Sequence, residues 1–212
     1  MTLPATISER RPRPPADLAE GAGTAIPFWP APDFAAWIFD TFINEGAPLE
    51  NAEHAHLREA SIGVLWTGVE NSKRQRTIVG RAELGETIGG SDPWSKGRAV
   101  QQLEGWFGLV PDFILTFSAP YADQADDATF CALVEHELSH CAQERDAYGM
   151  PKFRKFGAPS FCMRGHDIEE FVGVVARYGA DASGVRALVD AANAGPTIAA
   201  ADITFACGNC QR

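Results

Sequence analysis

Apolar residues recur every three or four positions in two segments of the first half of the chain. Residues 33–46 have this spacing, which predicts a helix that begins at Asp33 and ends at Gly46. Residues 95–108 repeat the pattern and predict a second helix.

Three other segments are rich in β-branched and aromatic residues. Residues 61–70 and 75–83 flank a short polar run, so the sequence predicts that they pair as a hairpin. Residues 112–120 follow a proline and are predicted to form a further strand.

The second half of the chain is dominated by helical spacing. Residues 122–149 predict a long helix that begins at Asp126 or Asp127 and ends near Gly149. Residues 166–179 and 183–194 predict two more helices. Strands before the middle and helices after it indicate an α+β fold, in which a small mixed or antiparallel sheet packs against helices.

The two ends of the chain differ in composition from its middle. Seven of the 14 prolines lie in residues 1–32, which predicts an extended, disordered arm. We therefore expect one folded domain over residues 33–195 and a tail over residues 196–212. That tail contains the pair Cys207 and Cys210, which is only half of a four-ligand zinc site.

Charge and cysteine content exclude or disfavour several classes of protein. The chain has 28 acidic and 18 basic residues and a net charge of −10, which disfavours nonspecific binding to nucleic acid. No run of 18 apolar residues is present, and residues 1–15 lack the apolar stretch of a secretory signal, so we expect neither a membrane span nor a signal peptide. Five cysteines are an odd number, so we expect a cytoplasmic protein without a disulfide framework.

The motif with the clearest chemistry is HExxH, formed by residues 136–140 within the long predicted helix. His136 and His140 are four residues apart and share one helix face, so both imidazoles can bind a single cation. Glu137 is displaced around the helix, where its carboxylate can act as a general base on a water that the metal activates. Zinc suits such a ligand set, and we expect one ion per chain.

A catalytic zinc site of this kind needs a third protein ligand. His166 is the preferred candidate because it lies just before a predicted helix whose capping box uses Asp167 and Glu170. Glu169 is the alternative ligand. Asp167 or Glu169 could instead orient an imidazole by hydrogen bonding.

Several strings resemble the putative phage metallopeptidase family, namely ALVEHELSHC, GMPKF and RGHDIEEFVGVVARYG, with HAHLREASIGVLWTG and WFGLVPDFILTFSAPYA upstream. The resemblance implies a zincin-like fold in which Glu137 is the base and the ligands are His136, His140 and His166. It also implies that a strand ahead of the active helix forms the edge of the cleft. Residues 112–120 are the predicted edge strand, to which a substrate backbone could add.

These observations lead to the hypothesis of a cytoplasmic, phage- or prophage-encoded zinc metallopeptidase that acts on a peptide or protein. The alternatives are a noncatalytic zincin-like interaction module that binds zinc, and a zinc hydrolase of a different substrate class. The presence of Glu137 favours an enzyme, since a binding module has no need of a base. Two other histidines, His54 and His56, are expected to pack or cap a helix rather than bind metal.

Overall fold

The computed structural model describes residues 3, 5–20, 27–73, 76–155, 157–168, 172–181 and 185–203. The helices are α1 (Ala5–Arg10), α2 (Ala16–Ala19), α3 (Pro32–Ile38), α4 (Pro93–Phe107), α5 (Ala119–Gln124), α6 (Asp127–His140), α7 (Val172–Tyr178) and α8 (Arg186–Ala194). A π-helical turn (Phe39–Ile43) and two 3₁₀ helices (Ala52–Glu59 and Gly85–Thr87) complete the helical elements of these residues.

The strands are β1 (Phe28–Pro30), β2 (Ile62–Thr67), β3 (Ser72–Lys73), β4 (Arg76–Thr77), β5 (Gly80–Leu84), β6 (Phe113–Ser118), β7 (Cys141–Gln143) and β8 (Phe161–Met163). The main sheet has the order β1-β2-β6-β5. Strands β2 and β6 are parallel, whereas β1 and β5 pair antiparallel to their neighbours. Two short ribbons, β3–β4 and β7–β8, lie outside this sheet. The predicted α+β class, with a small mixed sheet, is confirmed.

The order of the strands corrects two expectations. The hairpin predicted from residues 61–70 and 75–83 is wrong, because β6 lies between β2 and β5. Within this part of the chain, the short strands β3 and β4 pair antiparallel instead. Residues 112–120 were expected at the edge of the sheet, but β6 is an interior strand. Its apolar run is buried almost throughout, as in strands covered on both faces. Strand β5 forms one edge of the sheet and β1 the other, and the first three residues of β5 alternate between buried and exposed.

The core lies between the sheet and α6. Phe34 of α3 stacks on Trp66 of β2 with ring centroids 4.6 Å apart, and Phe117 and Phe130 complete this aromatic cluster at 5.1 and 5.4 Å from Phe34. Burial of these large rings is a major source of stability.

Helix α4 covers the opposite face of the sheet. Its Leu103 packs with Leu65 and Ile114, which alternate along β2 and β6 with the residues that face α6. Asp92 caps the helix by accepting a hydrogen bond from the Ser95 backbone, and Gly108 ends it at φ 76°.

Residues 5–20 differ from the disordered arm that their prolines predict. They form α1 and α2, and they bury Ile7 and Leu18 in the core. The Arg11 guanidinium is also buried, with one nitrogen 2.7 Å from Asp127 Oδ1 and its carbon 4.2 Å from the centre of the Phe130 ring. The prolines therefore break the helices of this segment without preventing it from packing.

Helix α6 begins as predicted but ends earlier than predicted. Asp126 caps it by accepting hydrogen bonds from the Thr129 backbone and hydroxyl. The expected end near Gly149 is wrong, since the helix stops at His140 and Cys141 enters β7. After His140 the chain pairs with β8 instead of continuing the helix. The backbone N–H of Arg164, directly after β8, donates to the His140 carbonyl at 2.8 Å.

The C-terminal helices α7 and α8 lie within the segments predicted to be helical, but neither buries a side chain that the structure describes. The Cys207 and Cys210 pair falls outside the described residues. Within the described part of the chain, no helix is both long and apolar enough to cross a membrane.

Candidate metal centre

The last two turns of α6 provide two imidazoles of the centre. Leu133, Val134 and Leu138 bury one face of the helix against the core. His136 and His140 lie on another face, with their ring centroids 5.0 Å apart. Because residues four apart share a helix face, the fold places both imidazoles on the same side of α6.

The third imidazole comes from the loop that follows β8. His166 lies with its ring centroid 5.1 Å from that of His136 and 4.9 Å from that of His140. One ligand atom from each of the three residues can be chosen so that all lie within 4.8 Å of one another. The predicted set of three histidines is therefore brought together by the fold.

The loop also fixes the tautomer of His140. Its Nδ1 lies 2.7 Å from the carbonyl oxygen of Arg164. A carbonyl only accepts, so Nδ1 donates the proton and Nε2 keeps its lone pair for a metal. A hydrogen bond of this kind commonly orients histidines that bind zinc.

Burial favours the neutral form of His136 and His140, which is the form that a metal requires. Desolvation lowers the pKa of His136 to about 4, and the adjacent imidazoles of His140 and His166 act in the same direction. Desolvation also lowers the pKa of His140, against the opposing effect of its hydrogen bond to Arg164. Neutral imidazoles at neutral pH are the form that binds zinc.

The donor set fits a zinc ion. Three imidazole nitrogens at this spacing can surround one ion and leave a fourth position open, as in catalytic zinc sites. Imidazole also suits copper, iron and nickel, so these three donors could hold a transition metal without fixing which element it is.

The carboxylate of Glu137 lies on the side of α6 that faces the sheet. Its side chain has no solvent exposure, and it packs beside Gly80 at the start of the edge strand β5. Glu137, the base predicted from the sequence, is therefore enclosed between α6 and β5.

Residues 51–56, around the start of the Ala52–Glu59 helix, support the end of α6 in a way that no sequence pattern indicates. Asn51 donates to Glu135 on α6 at 2.9 Å, and His56 Nε2 lies 2.8 Å from the Cys141 carbonyl oxygen. This segment therefore contacts both sides of the His140 position. The contacts span more than 80 residues of sequence, so no local pattern could indicate them.

The remaining candidates of the sequence analysis have other surroundings. Asp167 accepts a hydrogen bond from the Arg164 guanidinium, which also lies 3.8 Å from Glu53. Glu169 is outside the described residues. The thiols of Cys131 and Cys141 are buried, and desolvation raises the pKa of both, so they behave as packing residues.

One family model matches this chain over residues 35–193, about three quarters of its length, and its description is Putative phage metallopeptidase. The chain belongs to this family. The match covers α6, the β7–β8 ribbon and the loop that carries His166, so the candidate metal centre lies within the family region. No curated protein and no solved structure matches the chain.

Proposed function

We propose that this member of the phage metallopeptidase family is a zinc-dependent peptidase in which Glu137 is the general base. The observation that carries the proposal is the convergence of His136, His140 and His166 next to a buried glutamate on the same helix. A site that only held a structural ion would have no use for that carboxylate.

In this proposal the three imidazoles hold one zinc ion, and each residue has a defined task. Bound zinc supplies Lewis-acid chemistry, which polarises a carbonyl and makes water more acidic. Glu137 accepts the proton of the attacking water and returns it to the leaving nitrogen. The Arg164 carbonyl keeps the His140 ring oriented during these steps.

We further propose that the substrate backbone lies along β5, the edge strand beside Glu137, and not along residues 112–120 as the sequence predicts. Val79 and Gly85 make backbone hydrogen bonds to Ser118 and Asp112, on the β6 side. In an antiparallel pair, successive residues alternate between bonding to the neighbouring strand and pointing away from it. Val79 bonds to β6, so the backbone N–H and C=O of the next residue, Gly80, point away from β6. They are thus directed to the edge, beside Glu137, where an extended peptide could pair.

The test compares the full-length chain with Glu137→Gln, using metal analysis and a broad peptide library. Glutamine keeps the shape of the side chain but cannot accept the proton. We expect both proteins to bind one zinc ion and the variant to lose about 10²–10⁴ in rate. Glu104→Gln on the exposed surface of α4 is the matched control and should retain full activity.

Two outcomes would contradict the proposal. Equal hydrolysis by the native chain and Glu137→Gln would show that another group or a contaminant acts as the base. Stoichiometric zinc without hydrolysis by the native chain on the whole panel would favour the noncatalytic interaction module.

A further inference from the structure

Gly80 is the first residue of β5 and lies directly against the proposed base. A Cβ built at this position would be 2.8 Å from Glu137 Oε1 and 3.1 Å from Glu137 Cγ. It would also be 2.9 Å from Leu133 Cδ1, one turn earlier on α6. Side-chain atoms essentially never approach this closely, so a larger residue requires a neighbour to move.

The conformation of Gly80 does not explain why glycine occupies the position. Its φ is not among the positive values found in the described glycines, so any residue could adopt its backbone geometry. Glycine inside a strand lowers stability, because it adds chain entropy to the unfolded state and packs no side chain. Lack of space is the reason that remains.

The neighbours have little freedom to yield. Glu137 and Leu133 have no solvent exposure, and both belong to the helix that carries His136 and His140. Strand β5 is tied to β6 over all five of its residues. A Cβ at residue 80 would therefore displace the Glu137 carboxylate or force α6 away from the sheet.

We infer that Gly80 is a positioning residue, and that the absence of its side chain sets where the Glu137 carboxylate lies. The catalytic part of this inference rests on the proposed function. A general base acts only when it reaches the water that it deprotonates, and misplacement by about 1 Å can cost about 10² in rate.

The first test is Gly80→Ala in the full-length, zinc-loaded protein. We expect kcat to fall by about 10²-fold while the zinc content stays at one ion and KM changes little. Gly97→Ala is the matched control, since a Cβ at that position in α4 has no atom within 4 Å. That variant should keep native activity.

The second test asks which neighbour is responsible. Glu137→Asp shortens the acid by one methylene, so Gly80→Ala should cost much less activity in that background than in the native one. Leu133→Ala removes the other close contact. If only Leu133→Ala relieves the effect of Gly80→Ala, the glycine makes room for packing and the inference is wrong.

Thermal midpoints provide a readout that is independent of turnover. Gly80→Ala should lower the midpoint of the metal-free native chain, and should lower it less when Glu137 is already aspartate. If this coupling is seen without hydrolysis by the native chain, Gly80 still sets the position of Glu137 and only the proposed function fails. Hydrolysis by the native chain without coupling would overturn the inference and leave the proposed function intact, and absence of both would overturn both.

Discussion

The three imidazoles of the centre are held to different degrees. His140 is buried and hydrogen-bonded to the Arg164 carbonyl, and His136 is partly buried on the same helix. His166 belongs to a loop instead of a helix. The helix therefore fixes the relative position of two proposed ligands, and the position of the third depends on the β8 segment that precedes it.

His166→Ala should weaken zinc retention by orders of magnitude, because it removes one of three proposed protein ligands. Glu169→Ala should have a milder effect. Competition with a chromophoric chelator measures both affinities. Loss of zinc from Glu169→Ala together with retention by His166→Ala would assign the third ligand to the glutamate.

The burial of His54 leads to a prediction about how stability depends on pH. His54 is buried, and desolvation lowers its pKa to about 4, with the charges of His56 and Arg164 acting in the same direction. Between pH 6.5 and 4 the unfolded chain binds more protons at this residue than the folded chain does. Its effect on the free energy of unfolding is therefore absent above pH 6.5 and becomes more destabilising as pH falls.

His54→Gln removes this titration. Lowering the pH from 7 to 5 should destabilise the native chain by about 2 kcal/mol more than the variant. Urea unfolding of the metal-free proteins at several pH values measures the difference. Parallel curves for the two proteins would show that His54 is not the group responsible.

Among the elements, the sequence predicts best those whose signals are local. The start of α6 at Asp126 and Asp127 and the spacing of His136 and His140 follow from capping and helical periodicity. The end of α6 depends on β8, more than 20 residues away. Which strand forms the sheet edge depends equally on non-local pairing, since both β5 and β6 are recognisable only as strands.

The candidate site divides in the same way. His166 could be named because it is one of five histidines in the chain and lies at a loop–helix junction. Gly80 could not, because glycine has many local uses and only the contact with Glu137 shows why it is needed here. The contacts of Asn51 and His56 with the end of α6 likewise arise only when distant segments pack.

The N-terminal cap of α6 leads to a prediction about the stability of this helix. Asp126→Ala removes the hydrogen bonds to Thr129 and should cost about 1 kcal/mol of stability, or roughly 2–4 °C in thermal midpoint. Asp123→Ala is the control, since this exposed acid has the same charge but is not the cap residue. Equal midpoints for the two variants would show that the cap contributes nothing beyond its charge.

In the whole molecule, the N-terminal segment (residues 5–20) packs against α6. Arg11 donates to the carbonyl oxygens of Ala122 and Ala125 at the end of α5, and it pairs with Asp127 in the first turn of α6. Its guanidinium also covers the Phe130 ring. One buried side chain thus connects the N-terminal segment, α5 and the helix that carries His136 and His140.

For residues 5–20, these contacts contradict the disordered arm that the proline content alone predicts. A chain that begins at Asp33 would lose Ile7, Leu18 and Arg11, and it would expose the core residues that they cover. We therefore expect that truncated chain to be less stable and to accumulate poorly as soluble protein. A native thermal midpoint after truncation would show that the segment is dispensable.

Arg11→Ala tests the same packing without deleting the segment. The substitution removes a buried cation from Asp127 and leaves two carbonyl oxygens without their donor. Because Asp127 keeps some contact with solvent, we expect a cost of about 2–3 kcal/mol, and a midpoint lower by roughly 4–12 °C. Arg10→Ala changes the same charge at an exposed position one residue earlier, and should stay within about 0.5 kcal/mol of the native chain. If both variants unfold at the native temperature, the N-terminal segment does not stabilise α6, and the metal centre would have to be held by the sheet and the β7–β8 ribbon alone.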